Sequence, residues 1–213
     1  MSLLAGCPRC ATPVARLQSG GGWSCPEHGP IDPLLRPPYA TYDAFAAHLV
    51  GSSGFPTYLP WPMSPGWSVT DFAAVGDEPG RTRATLTCCS GTSELDGPVD
   101  VVVVAEETGV GLGARCAGTL HDDPGDEVGI GPPTVKVRVE NQDVPLWPVS
   151  TSGLGGELDR SVVAGEAQGR WLWIVLRPAS AILLLRDDWM LRDVSSLGAP
   201  LLEIPYGGPT PLW

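Results

Sequence analysis

The chain has 213 residues, room for one ordinary domain and a small appendage, and its 43% hydrophobic content excludes a disordered polymer. Its formal charge is −11: the first 36 residues hold Arg9, Arg16 and Arg36 against Glu27 and Asp32, a net +1, and the remainder carries −12. Phosphate backbones are gripped by clustered Lys and Arg, so this acidic remainder is a poor nucleic-acid binder.

No run of about 18 apolar residues suits a bilayer span, and the start lacks a secretory pattern. The expected compartment is cytoplasmic, where cysteines stay reduced and serve metals more often than disulfides. Gly and Pro number 27 and 23, about a quarter of the chain without a repeat period, and this predicts a turn-rich, strand-rich protein.

Cys7-Pro-Arg-Cys10 opens the chain, and Cys25-Pro-Glu-His28 follows after fourteen residues. A two-residue gap lets both side chains of one tight turn meet one ion, and two such knuckles supply four donors. "TPVARLQ", a turn at "SGGG" and a return strand from "GWS" give the hairpin of a zinc ribbon. Cys7, Cys10, Cys25 and His28 are therefore predicted to bind Zn. Four protein donors close the site, so the metal is structural and not catalytic.

The expected domain organisation is a zinc ribbon over 1–33, a Pro-rich linker with a short helix over 34–66, and an antiparallel-sheet-rich domain over 67–213. A ribbon on a stiff tether predicts that chelation unfolds the ribbon and leaves the main thermal transition nearly unchanged. In the linker, Tyr42, Phe45, Ala46 and Leu49 share one helix face, Thr41 caps the start and Gly51 the end. His48 falls off that stripe and reads as solvated.

Strands follow at "WSVTDFAAV" and "TRATLTCCS", the latter placing Ala84, Leu86 and Cys88 on one face and Thr85, Thr87 and Cys89 on the other. Cys88, Cys89 and Cys116 read as small core residues. "VDVVVVAEE" is continuously apolar and predicts a central strand buried on both faces. "TVKVRVE" and "VPLWPV" continue the sheet, and "QG" joins "RSVVAGEA" to "RWLWIVLRP" in a hairpin. "SAILLLRD" reads as another strand and "DWMLRDVSSLG" as a closing helix ended by Gly198. Short turns between strands predict an antiparallel sheet, so the fold class is α+β to mainly β, with a small N-terminal zinc ribbon and a few short helices.

Two further candidates carry chemistry. The Gly109–Arg115 loop follows the buried strand, and its amides with Arg115 could hold an anion; Gly111 and Gly113 supply the close approach. Glu106 and Glu107 oppose an anion there, and a structural turn into a short helix is the plainer reading. Trp171 and Trp173 point to one face of a strand, suited to core packing or, with Trp147, Trp61 and Trp67, to a ligand groove. "HDDPGDE", His121 to Glu127, lacks calcium-loop spacing and reads as a solvated acidic loop. Only His48 and His121 remain for a nucleophilic triad, and neither sits in a catalytic pattern.

The ribbon, then "LPWPMSPGW", "AEETGVGLGAR", "PLW", "VAGEA" and "WLW", in this order and end to end, resemble an uncharacterised actinobacterial family, a domain of unknown function. Twelve Arg against one Lys suit such a high-GC source. Some similar sequences carry an automatic phosphotransacetylase label. The antiparallel reading and the length do not fit that enzyme's doubly wound fold, so the label is not carried over, and the resemblance implies no catalytic residues.

The functional expectation is a non-catalytic zinc-ribbon adapter that binds a protein partner or a ligand. One alternative is an enzyme or small-anion-binding domain using the Gly109–Arg115 loop; the other is nucleic-acid binding through the ribbon.

Overall fold

This computed structural model describes residues 2–17, 21–78, 80–119, 121–151, 159–185, 189–211 and 213. In chain order the elements are β1 (Leu4–Gly6), β2 (Ala15–Arg16), β3 (Trp23–Cys25), β4 (Gly29–Pro30), β5 (Leu34–Arg36), α1 (Tyr42–Gly51), β6 (Tyr58–Pro60), β7 (Ser68–Val75) and β8 (Ala84–Ser93). They continue with β9 (Gly97–Glu106), α2 (Leu112–Ala117), β10 (Val135–Val139), β11 (Gln142–Pro148), β12 (Ser161–Ala167), β13 (Arg170–Arg177), a 3-10 helix at Ala179–Leu185, β14 (Met190–Asp193) and a 3-10 helix at Ala199–Glu203.

Among the described residues, eleven strands form one sheet in the order β1-β5-β7-β8-β9-β13-β12-β11-β10-β14-β6; β2-β3-β4 form a separate small sheet. The large sheet is antiparallel except where β10 runs parallel to β14. The protein is thus mostly sheet with few helices.

The predicted central strand is β9, between β8 and β13. Its alternate residues feed two cores. Val99, Val101, Val103 and Ala105 meet Leu172, Ile174 and Leu176 of β13 on one face. Val102 and Val104 meet Trp173 and Val175 on the other, under α2. The sheet curls so that β6 packs across β8 and β9. The β8 threonines face that crossing: Thr85 and Thr87 each donate a 2.6 Å hydroxyl bond, to the Pro56 and Tyr58 carbonyls. Ala84, Leu86 and Cys88 face α2, as the alternation predicts. The β12–β13 hairpin turns at Gln168 and Gly169, whose φ values of 55° and 75° suit the mirror-image two-residue turn.

Four local expectations are corrected. The "SAILLLRD" stretch forms a 3-10 helix over its described residues, Ala179–Leu185; Arg186 and Asp187 lie outside them. A short apolar run carries no period of its own, and the turn after Pro178 (Ala181 N to Pro178 O, 3.0 Å) decides it. Residues Met190–Asp193 are a strand and not a closing helix: Leu191 is fully buried between half-buried neighbours, and Gly198 starts a 3-10 turn instead of ending a helix. The third correction concerns α1. Thr41 caps it (Ala44 N to Thr41 Oγ1, 3.2 Å), but the buried face is Ala44, Phe45 and Leu49, with Tyr42 exposed. Fourth, His48 is not solvated. Its ring stacks 5.8 Å from Phe45 and lies 5.2 Å from Phe72, and burial lowers its pKa to about 4.

The Pro-rich segment expected as a tether belongs to the sheet. Leu34 and Leu35 pair with Val75 and Ala74 of β7, and β1 pairs with β5 on its other side. The turn expected at "SGGG" falls partly outside the described residues, at Ser19 and Gly20.

Candidate metal centre

The two knuckles converge. A bridge between Gly6 and Pro13 and the Cys7 N to Thr12 O bond (3.3 Å) close the first, and the Arg9 amide points at the Cys7 sulfur at 3.4 Å. The second is the turn between β3 and β4, where Cys25 pairs with Gly29; Gly29 has φ 69°, which an L side chain rarely adopts. The donor atoms of Cys7, Cys10, Cys25 and His28 all lie within 4.8 Å of one another, a group that could hold a metal ion. His28 Nδ1 stands 3.6 Å from each of the three sulfurs, and the Cys10 and Cys25 sulfurs are 3.7 Å apart. Cys7 and Cys25 are buried, Cys10 is half-buried and His28 is exposed. Burial pushes the Cys7 thiol up to about 11. At Cys10 desolvation is outweighed by hydrogen bonds from Thr12 and from the other thiols, which lower it to about 6.

The knuckle is clamped onto the body. Arg9 donates to the Gly109 carbonyl (2.5 Å) and the Val110 carbonyl (3.3 Å) and pairs with Asp122 at 3.1 Å. Arg115 donates to the carbonyl of Cys7 at 2.5 Å. The guanidinium groups of Arg36 and Arg115 lie 4.8 and 5.1 Å from the Trp213 ring centre, and the Trp213 indole donates to buried Asp71 at 2.7 Å. Asp71 in turn holds Arg36 at 2.6 Å. From β3 of the ribbon, the Trp23 indole donates to Asp77 at 2.6 Å. Sequence reasoning missed Arg9, Asp71, Asp122 and Trp213. The available signal was Arg9 lying inside a metal knuckle of a chain whose body is acidic.

The Gly109–Arg115 loop forms the turn into α2, the plainer of its two readings, and its amides are taken by a carboxyl of the protein itself. The amides of Leu112 and Gly113 donate to the Glu106 carboxyl at 2.8 and 3.2 Å, and Glu106 is fully buried. Gly109 N is taken by Asp123 at 2.9 Å, so the acidic loop contributes two ties to the clamp. A cavity of ≈ 420 Å³ beside the metal group is rimmed by Gly109 and Val110 but not by Arg115. Arg115, Gly111 and Gly113 are thus engaged with the protein itself: at Gly111 a Cβ would lie 3.0 Å from Arg9, and at Gly113 it would lie 2.3 Å from the Trp173 ring.

The tryptophans do not form one groove. Trp173 is fully buried and Trp171 packs beside it in the core under α2; Trp147 donates to Gly131 O at 3.1 Å. Trp61 and Trp67 instead join Trp189 around a separate cleft of ≈ 200 Å³.

Burial raises the Glu106 pKa to about 7, against the lowering effect of the Gly113 and Leu112 amides; the Trp173 indole N–H, outside hydrogen-bond geometry, adds to that lowering. A carboxyl with a raised folded pKa stabilises the fold at low pH, and that contribution is lost as pH rises through the folded value. Wild type minus Glu106→Gln stability is therefore expected to fall by about 3 kcal/mol between about pH 4.5 and pH 8. Urea titrations at four pH values check this. Taking the difference cancels the opposite trend from His48, and a flat difference contradicts a buried, titrating Glu106.

The whole chain, residues 1–213, matches one family model. The protein belongs to a family of unknown function, DUF6758. No curated protein and no solved structure matches. For this DUF6758 member the Cys7, Cys10, Cys25 and His28 group and its clamp are what geometry offers. Among the described residues no helix is long and apolar enough to cross a membrane.

Proposed function

We propose that this DUF6758 protein is a non-catalytic adapter that joins an N-terminal zinc ribbon to a Trp-lined binding surface on its body. The donor geometry carries this reading. A tetrahedral ion about 2.3 Å from each sulfur and about 2.0–2.1 Å from nitrogen puts S···S near 3.8 Å and S···N near 3.6 Å. The Cys10 and Cys25 sulfurs stand 3.7 Å apart, and His28 Nδ1 is 3.6 Å from each of the three sulfurs. Three thiolates with one imidazole in this geometry suit zinc, and four protein donors leave no position for a substrate.

The clamp supports a structural role, since Arg9 and Arg115 spend their charges on holding the knuckle in place. The half-buried Trp61, Trp67 and Trp189 around their cleft suit a protein partner, because such rings bury large area at little entropic cost. The anion-site alternative is weakened by Glu106 filling the loop amides, and ribbon-mediated nucleic-acid binding by the charge balance. Reduced thiolates suit a cytoplasmic protein.

Affinity purification from the native host tests the adapter role. A partner captured by the full chain and lost on Trp61→Ala supports it. An activity in an unbiased metabolite screen that a body-residue substitution abolishes overturns it.

A further inference from the structure

We infer that the cavity between α1 and the β5–β7 edge of the sheet binds a small, uncharged, apolar molecule. It deepens the ligand-binding side of the adapter reading without depending on the metal. The cavity measures ≈ 320 Å³, within the range of small-molecule sites. Its walls include Leu35, Ala44, Ala47, Gly51, Phe72 and Ala74.

Sequence creates this space. A helix lying on a sheet normally fills the gap with branched or aromatic side chains. On α1, Phe45 and Leu49 do so along one flank, packing toward Phe72 and Leu59. On the other flank Ala44, Ala47 and Gly51 fall at i, i+3 and i+7, one stripe of small residues. Opposite them β7 offers Ala74, followed by Gly76. Small residues on both walls leave a trough, and it opens to solvent along exposed Ala47 and Gly51.

The polar content is sparse and directional. Ser52 lines the trough but gives its hydroxyl to the His48 carbonyl at 2.8 Å. The His48 ring also lines it, held between Phe45 and Phe72, with Nε2 3.4 Å from the Thr57 hydroxyl. Burial keeps this imidazole neutral at physiological pH, so it offers one donor and one acceptor and no charge. Asp77 and Glu78 stand at the mouth and are exposed, which disfavours anions. Asp77 is tied to the Trp23 indole and Glu78 to Arg81. The cavity beside the metal group differs in kind, since Arg9, Asp32, Asp77 and Arg83 line it.

Titration of the full, metal-loaded chain with the uncharged dye N-phenyl-1-naphthylamine tests the inference. The expected result is a saturable, blue-shifted fluorescence gain at one dye per chain, with shifts of the Ala44, Ala47 and Leu35 methyl resonances. Ala47→Trp lays an indole across the trough from an exposed helix position, and it is expected to weaken binding about ten-fold or more. The anionic dye 1-anilinonaphthalene-8-sulfonate is expected to bind about ten-fold more weakly than the neutral one. Absence of saturable binding, or binding that leaves those methyl resonances unmoved, overturns the inference. If Ala47→Trp fails to fold, the methyl shifts alone decide. A negative result here leaves the metal-stapled adapter standing, and loss of the adapter's partner leaves the cavity standing.

Discussion

Stripping the metal from the folded chain is expected to lower its main thermal transition by about 10 °C, because the ribbon is clamped to the sheet. A segment this short cannot bury enough apolar surface to hold its own fold, so an ion bound at the proposed site would supply that free energy. Releasing the ion frees the Cys7–Cys10 knuckle. Arg9 then loses its fixed approach to the Gly109 and Val110 carbonyls, and Arg115 loses the Cys7 carbonyl. Strand β1, which immediately precedes Cys7, loses the anchor at its end. These losses amount to about 3–5 kcal/mol, and in a domain of this size each kcal/mol moves the midpoint by about 2–4 °C. Calorimetry with and without chelator reads the shift, and Cys25→Ala is expected to reproduce it. An unchanged main transition on chelation supports the independent tethered ribbon that the sequence alone predicts.

Gly113→Ala is expected to cost at least about 3 kcal/mol, an unusually large effect for adding one methyl group. Its Cβ would lie 2.3 Å from Cδ1 and Nε1 of Trp173. The ring has nowhere to go, since Trp173 is fully buried between β9 and β12 neighbours. The helix cannot lift either, because Leu112 and Gly113 are bonded to Glu106 at the end of β9. Denaturant unfolding measures the loss. Replacing the indole with a smaller ring makes room, so Gly113→Ala with Trp173→Phe is expected to recover more than about 1 kcal/mol relative to additivity. A loss under about 1 kcal/mol for the single variant contradicts this tight contact.

Local pattern made some of this legible and not the rest. The Cys-x2-Cys and Cys-x2-His spacing located the donor group because knuckle geometry is set within four residues. The alternation in β8 and the unbroken valines of β9 announced one strand with two different faces and one buried on both, since period and burial are written in adjacent side chains. "SAILLLRD" and "DWMLRDVSSLG" mislead because short segments are settled by what they pack against. The clamp was invisible for a related reason. Arg9 to Gly109, Arg115 to Cys7 and Trp213 to Asp71 join residues about a hundred positions apart or more, and no local spacing encodes them. Helix phase alone places His48 in solvent, whereas Phe72, on a different element, covers it.

One tetrahedral ion held by Cys7, Cys10, Cys25 and His28 is the centre of the proposed function. X-ray absorption at the zinc edge of the purified, reduced protein, with elemental analysis of the same sample, tests it most directly. The predicted result is about one zinc per chain with three sulfurs at about 2.3 Å and one nitrogen at about 2.0–2.1 Å. Far less than one zinc per chain, or a shell of oxygens with fewer than three sulfurs, would contradict it.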